Sequence, residues 1–269
     1  MRNVMAAGSG GGCHIFSGCG YPAPSIDDFY FKPIFSIGSF HFTKPMLLAF
    51  VAVAIILVFF GVAFSRPKLV PRGVQNLGEL AILFVRDQIL RPQLGKKGDS
   101  YLPFLVSLFF FVWLMNLFEL IPGIMFPATS RFAFPVSLTI LVWLTYIYIG
   151  MRHQGPIGYF KNMAVPRGAP WWILPLLSPI ELLSNIIVRP FTLSIRLFAN
   201  MLAGHLLLLV FGLATWYLAS LSIGLLFAAT SFIVYIIITA LEVLIQLLQA
   251  FIFATLTAFY ISDSLESAH

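Results

Sequence analysis

The chain has 269 residues, of which 59% are hydrophobic and only 10% charged, with a mean hydropathy of +0.94. Ordinary soluble domains carry about 25% charged residues, so a soluble globular protein is excluded and an integral membrane protein is expected. The net charge of +6 does not point to nucleic acid: seven of the 16 Lys and Arg residues lie between Arg66 and Lys97, directly after an apolar run, where cytoplasmic-loop charge is the better reading.

A membrane-crossing backbone must satisfy its own hydrogen bonds, and long, unbroken apolar runs select helices over a barrel. The expected fold is an all-α integral membrane protein with about five membrane-embedded helices and one surface amphipathic helix. Residues 1–40 form a glycine-rich tail, read as external and flexible. Its Cys13 and Cys19 leave two readings open, a disulfide in an oxidising space or two free thiols. The glycines Gly8–Gly12 follow no strand and precede no Lys-Ser/Thr pair, so they do not make a phosphate loop.

Residues 41–262 read as a single membrane domain. Residues 46–65 carry no charge and are long enough for a bilayer core of about 30 Å. They lie too far from the start for a signal peptide. Residues 74–90 set Leu77, Leu80, Ala81, Phe84, Val85 and Leu90 near one face, which suggests a helix lying on the membrane surface. Spans follow at 104–124, interrupted late by Asn116 and Glu119, and at 132–150. The positive-inside rule makes loops 66–100 and 151–168 cytoplasmic and loop 122–131 external, so the N-terminus is external. Two long helices follow, 179–212 and 223–261, and a short tail, 263–269. At 1.5 Å per residue these helices measure roughly 50 and 58 Å, too long to stand upright in the bilayer, so they tilt steeply or break.

Charged groups at membrane depth cost at least about 2.5–3.5 kcal/mol and usually face a bundle interior or water. Asn185, Arg189, Thr192, Arg196 and Asn200 are spaced 4, 3, 4 and 4 apart and share one helical stripe. His205 comes nine residues after Arg196, about half a turn out of phase. Glu242, Gln246 and Gln249 share a face of the last helix, and Asn116 and Glu119 share one of the second span. Each has a bland reading beside the functional one. Arg189 suits a snorkelling side chain near a helix end. Asn200, Gln246 and Gln249 suit interhelical hydrogen-bond glue. His205 and Glu242 suit a structural pair. Arg196, flanked by apolar residues on both sides, is the least open to such a reading.

The stretches "SPIELLSNIIVRPFTLSIRLFANMLAGHLLLLVF" and "LEVLIQLLQAFIFATLTAFYIS" resemble the subunit a family of F-type ATP synthases. The signature R-P-x-[ST]-L-[SGA]-x-R-L-x-[AG]-N-x-x-A-G is present, followed in order by Q-A-[FY]-[IV]-F. The upstream "LMNLFELIPG" is similar to the family's second-span motif. The resemblance covers about Phe42 to the C-terminus.

It implies a non-catalytic, proton-conducting stator with no metal and no cofactor. Arg196 matches the essential arginine facing the carboxylates of the c-ring proteolipid subunits, and Asn200 and Gln249 match polar residues near it. Asn116 and Glu119 match residues of the external access path. His205 and Glu242 match a pair found in relatives, and Arg189 and Thr192 match a basic and a hydroxyl position. Asn185 and Gln246 join as supporting residues by their place on the two stripes. The implied partners are the c-ring, peripheral-stalk b-type subunits and membrane lipid, with no nucleic acid. The expected location is a bacterial plasma membrane, with an organellar inner membrane as the alternative. The rival readings are a self-contained transporter or channel, for which no internal repeat is found, and an intramembrane hydrolase, for which no catalytic constellation is found.

Overall fold

The computed structural model describes residues 35–37, 40–65, 67–68, 70–121, 132–164, 173–218 and 224–265. Most of the N-terminal tail, with Cys13 and Cys19, and the loop 122–131 lie outside the described residues. A two-stranded antiparallel hairpin, β1 (Phe35–Ile37) with β2 (Phe40–Phe42), pairs Phe35 opposite Phe42 just before the first span. The remaining regular structure among the described residues is helical. Five helical runs are long and apolar enough to cross a membrane: Lys44–Phe64, Gly98–Leu117, Ala133–Gln154, Leu174–Leu218 and Gly224–Leu265. The chain is a multi-pass membrane protein whose membrane-crossing runs are all helical.

Helix α1 (Lys44–Phe64) begins after the extended residue Thr43, with Pro45 in its first turn, where its missing N–H leaves no helical bond broken. Helix α2 (Val74–Phe84) passes through a π turn (Val85–Leu90) into α3 (Arg91–Leu94). A 3-10 turn (Gly95–Tyr101) leads into α4 (Leu102–Leu117). Helix α5 (Ala133–Gln154) is followed, across the positive-φ Gly155, by a short α6 (Pro156–Ala164), within a stretch that the sequence suggests is loop. Helix α7 (Leu174–Leu183) continues through a second π turn (Ser184–Val188) into α8 (Arg189–Leu218). It starts earlier than sequence suggests because Pro175, not Pro179, takes the first-turn position. Helix α9 (Gly224–Leu265) has 42 residues and runs past Ile261, so Asp263 is helical.

Both π turns end two residues before a proline, Pro92 and Pro190. A proline removes one helical N–H and crowds the carbonyl four residues back, and a widened turn relieves that crowding. In the second, the Arg189 N–H donates to the Ser184 carbonyl, five residues back. The Asn185 carbonyl would then need the N–H of residue 190, which is proline. The Tyr146 hydroxyl donates to that carbonyl instead, at 3.1 Å.

The described residues fall into two compact units: those of 35–202 with 243–265, and those of 203–242. In the larger unit the core joins Val85, Ile89 and Leu90 of the first π turn, Leu105, Phe109 and Val112 of α4, Leu193 and Leu197 of α8, and Ala250, Phe253, Ala254, Ala258 and Ile261 of α9. The alanines at 250, 254 and 258 make a stripe of small side chains, which lets neighbouring backbones approach where lipid offers no hydrophobic drive to association. The α2 segment therefore does more than rest on a surface. Leu77 and Leu80 are exposed, while Val85, Ile89 and Leu90 are fully buried against the other helices. At its exposed edge the Arg86 guanidinium bonds Asp87 at 2.9 Å and holds its carboxyl below the usual range.

The last turns of α9 collect ties from distant parts of this unit. Ser262 Oγ donates to the Gln93 carbonyl at 2.8 Å, Gln154 Nε2 donates to the Ser264 carbonyl at 2.8 Å, and Arg189 pairs with Asp263 at 2.6 Å. In the smaller unit, residues 203–218 of α8 and 224–242 of α9 run antiparallel. Ser231 Oγ donates to the Phe211 carbonyl at 3.0 Å, and a Cβ on Gly212 would sit 3.5 Å from the Tyr235 ring.

Candidate functional site

Thr192, Arg196 and Asn200 lie on an exposed face of α8, amid exposed Phe191 and Ile195. Arg196 has no carboxylate partner among the described residues. Asn200 Nδ2 donates to Gln249 Oε1 of α9 at 2.8 Å, so the structure brings together two residues that the sequence placed on different helices. Gln249 is buried, and Gln246, one turn earlier on α9, is completely buried with neither amide atom hydrogen-bonded. Thr192 turns its hydroxyl back to its own helix, donating to the Val188 carbonyl at 2.8 Å.

Two stripe members differ from the sequence reading. Asn185 is buried while Thr192, Arg196 and Asn200 are exposed. The even α periodicity is broken by the π turn at Ser184–Val188, whose extra residue rotates everything upstream by about 100°. Arg189 is neither a free snorkelling group nor an open site cation. It pairs with Asp263, and its guanidinium lies over the Tyr260 ring, 5.1 Å from the centroid. Asp263 and Tyr260 are three residues apart on one face of α9, a spacing that signals the pair once the helix is seen to run past Ile261.

Asn116 and Glu119 are both buried where α4 gives way to a turn, the Glu119 N–H donating to the Asn116 carbonyl at 3.2 Å. Neighbouring Met115 and Phe118 pack on Leu48 and Ala52 of α1.

In the smaller unit, the Glu242 carboxylate is buried directly against the backbone of Gly204, the residue before His205. A Cβ at position 204 would collide with all three atoms of that carboxylate. The glycine therefore makes the seat for the acid, and it places the acid at the His205 turn of α8. Sequence reasoning missed Gly204, although it falls inside the quoted signature as the residue beside His205. Among the described residues, no group of three or more His, Cys, Asp or Glu side chains has the arrangement of a metal site.

These features define a polytopic membrane protein with a guanidinium, amides and a buried acid set along a pair of long apolar helices. The profile of the family described as ATP synthase A chain matches residues 46–262. The ATP synthase subunit a of Streptomyces lividans is 44% identical over 260 residues, covering 96% of this chain and 92% of its own length. That of Frankia alni is 44% identical over 251 residues, covering 91% and 86%, and that of Rhodococcus erythropolis 40% over 252, covering 92% and 91%. The chain belongs to the ATP synthase A chain family.

Proposed function

We propose that this chain is the proton-conducting stator of an F-type ATP synthase in a bacterial plasma membrane, with its N-terminus external. It catalyses no step itself. It forms two offset half-channels against a ring of c proteolipids and is held by b-type subunits of a peripheral stalk. The observation that supports this most is Arg196, an exposed guanidinium on an apolar helix face. Such a charge at membrane depth calls for an anion, and among the described residues this chain supplies none. A carboxylate on a neighbouring ring subunit, carried through lipid, is the matching partner.

In this reading an entering proton passes residues of the external route, Asn116, Glu119, His205 and Glu242, and neutralises a ring carboxylate. The neutral ring subunit turns through lipid until its carboxyl meets Arg196 from the other side. A guanidinium stays protonated under working conditions, so it acts as a fixed charge and not as a relay. Its field lowers the pKa of the approaching carboxyl and releases the proton to the second half-channel. The same charge repels a hydronium crossing directly between the half-channels, which keeps flow coupled to rotation. Asn200, held by Gln249, keeps a polar amide one turn from the guanidinium, with Gln246 beside it on α9.

The test is Arg196→Ala in the whole complex. Proton-driven ATP synthesis should fall below detection while the complex still assembles. Coupled synthesis at the unmodified rate would reject the assignment.

A further inference from the structure

Helix α6 has no part in the function proposed above, yet it carries an apolar side chain that stands out from the whole surface. Ile157 is 85% exposed, more than any large apolar side chain of the five spans. Ile157, Phe160 and Lys161 lie at i, i+3 and i+4 and share one exposed face of α6. The opposite face carries Tyr159, which is 5% exposed and lays its ring on Gly150 of α5, where a Cβ would fall inside contact distance. Asn162 Nδ2 donates to Gln154 Oε1 at 2.7 Å. These two contacts fix α6 to the end of α5, with Ile157 and Phe160 turned away from Gly150.

The depth of α6 follows from α5. Helix α5 has 22 residues, about 33 Å at 1.5 Å each, and the hydrocarbon core is about 30 Å thick. Its last turn therefore emerges into the polar layer, about 5–8 Å deep on each side. Helix α6 begins there, across the single residue Gly155. The outer face of α5 marks the same level. Leu141, Leu144, Tyr148 and Arg152 are spaced 3, 4 and 4 residues apart and make one exposed stripe. The stripe runs from aliphatic through aromatic to basic, the order in which a span leaves hydrocarbon and enters the headgroups. The Arg152 guanidinium donates to the Tyr148 hydroxyl at 3.4 Å.

Charge points to the same surroundings. Residues 120–180 contain no Asp or Glu, so Arg152 and Lys161 meet no carboxylate on their own stretch of chain. Lipid phosphate supplies the missing anion, and the alkyl chains beneath it take Ile157 and Phe160, whereas water suits only the cations. We propose that α6 is a membrane foot: Ile157 and Phe160 dip into the headgroup–acyl boundary of one leaflet, and Arg152 and Lys161 hold the phosphates of anionic lipid there. Because Tyr159 and Asn162 lock the foot to α5, it sets the depth at which that span sits in the bilayer. The foot rests on the multi-pass fold and not on the stator reading.

Spin-label depth in vesicles containing the whole complex tests this directly. In a Cys13→Ser, Cys19→Ser background, and a complex without other cysteines, Ile157→Cys is labelled with a nitroxide. Position 157 is exposed, so the label leaves Tyr159 seated on Gly150. Collisions with oxygen, which concentrates in hydrocarbon, are compared with those of a nickel chelate, which stays in water. Spin-labelled lipids calibrate the ratio. In vesicles of phosphatidylcholine mixed with phosphatidylglycerol, the oxygen-to-nickel ratio at 157 should exceed that of a headgroup label at least twofold. A ratio like that of a label in water would overturn the foot, and so would exclusion of both reagents, which would mean that another protein covers this face. The double variant Arg152→Gln, Lys161→Gln should lower the ratio at least twofold in these vesicles and leave it unchanged in phosphatidylcholine alone. No change in either lipid, or an equal change in both, would overturn the contact with anionic lipid. The collision ratio requires no ATP synthesis, so its result stands apart from the stator assignment.

Discussion

Gly204→Ala isolates the seat of Glu242. The added Cβ falls inside contact distance of the Glu242 carboxylate, so that carboxylate must move. It is the far end of a flexible side chain, so the fold can yield by turning it. Forcing a side chain off its rotamer costs about 0.5–1.5 kcal/mol, at the low end of the roughly 1–3 kcal/mol typical of an overpacked core. Assembly should therefore survive. Proton transfer should not, because the acid leaves its place beside the His205 turn. A tenfold loss corresponds to about 1.4 kcal/mol of barrier, and a loss of at least that size is expected. The assay is ATP-driven acidification of inverted vesicles, followed by quenching of a pH-sensitive dye and normalised to assembled complex. Glu242→Asp withdraws the carboxylate by one methylene, about 1.5 Å. The double variant Gly204→Ala, Glu242→Asp should therefore pump several-fold faster than Gly204→Ala alone. Unchanged pumping by Gly204→Ala, or a double variant no better than the single while Glu242→Asp alone remains active, would refute the reasoning.

Other outcomes follow from the same geometry. Tyr146→Phe strips the hydroxyl from the Asn185 carbonyl, and the orphaned acceptor should destabilise the complex by about 1–3 kcal/mol in thermal unfolding. Arg189→Ala and Asp263→Ala should each lower stability by no more than about 1–2 kcal/mol, since the pair is partly exposed and the ring contact adds about 0.5–1 kcal/mol. The swapped pair Arg189→Asp, Asp263→Arg should recover part of that loss, and no recovery would mean that the ion pair is not what joins α8 to α9. Ala254→Leu overfills the small-residue stripe of α9 and should reduce assembled complex on native gels, with a loss of about 1–3 kcal/mol.

Much of this architecture was legible because hydrocarbon imposes simple rules. An apolar run of sufficient length is a span, and a charge within one must face something other than lipid. The exposed row of Thr192, Arg196 and Asn200 follows from helical periodicity alone. Asn185 does not, because periodicity assumes an unbroken α register and a proline-linked π turn intervenes. The partner of Arg189 was hidden by chain distance: Asp263 lies 74 residues away, and only antiparallel packing brings it close. Gly204 was hidden for a different reason. Its importance lies in an atom it lacks, which becomes visible only once the neighbouring carboxylate has been located.

The ties gathered at the end of α9 carry a consequence for biogenesis. Ribosomal synthesis delivers residues 262–264 after every helix they fasten, across separations of 169, 110 and 74 residues. Until those residues emerge, Arg189 is in the bilayer without its counter-ion and the Gln93 carbonyl without its donor. Packing among α1, α2 and α4 needs nothing from α9, but these three ties close only once its last turn is made. A nascent chain stopped short of Asp263 should therefore remain distinguishable from a finished one by the charge it leaves uncompensated.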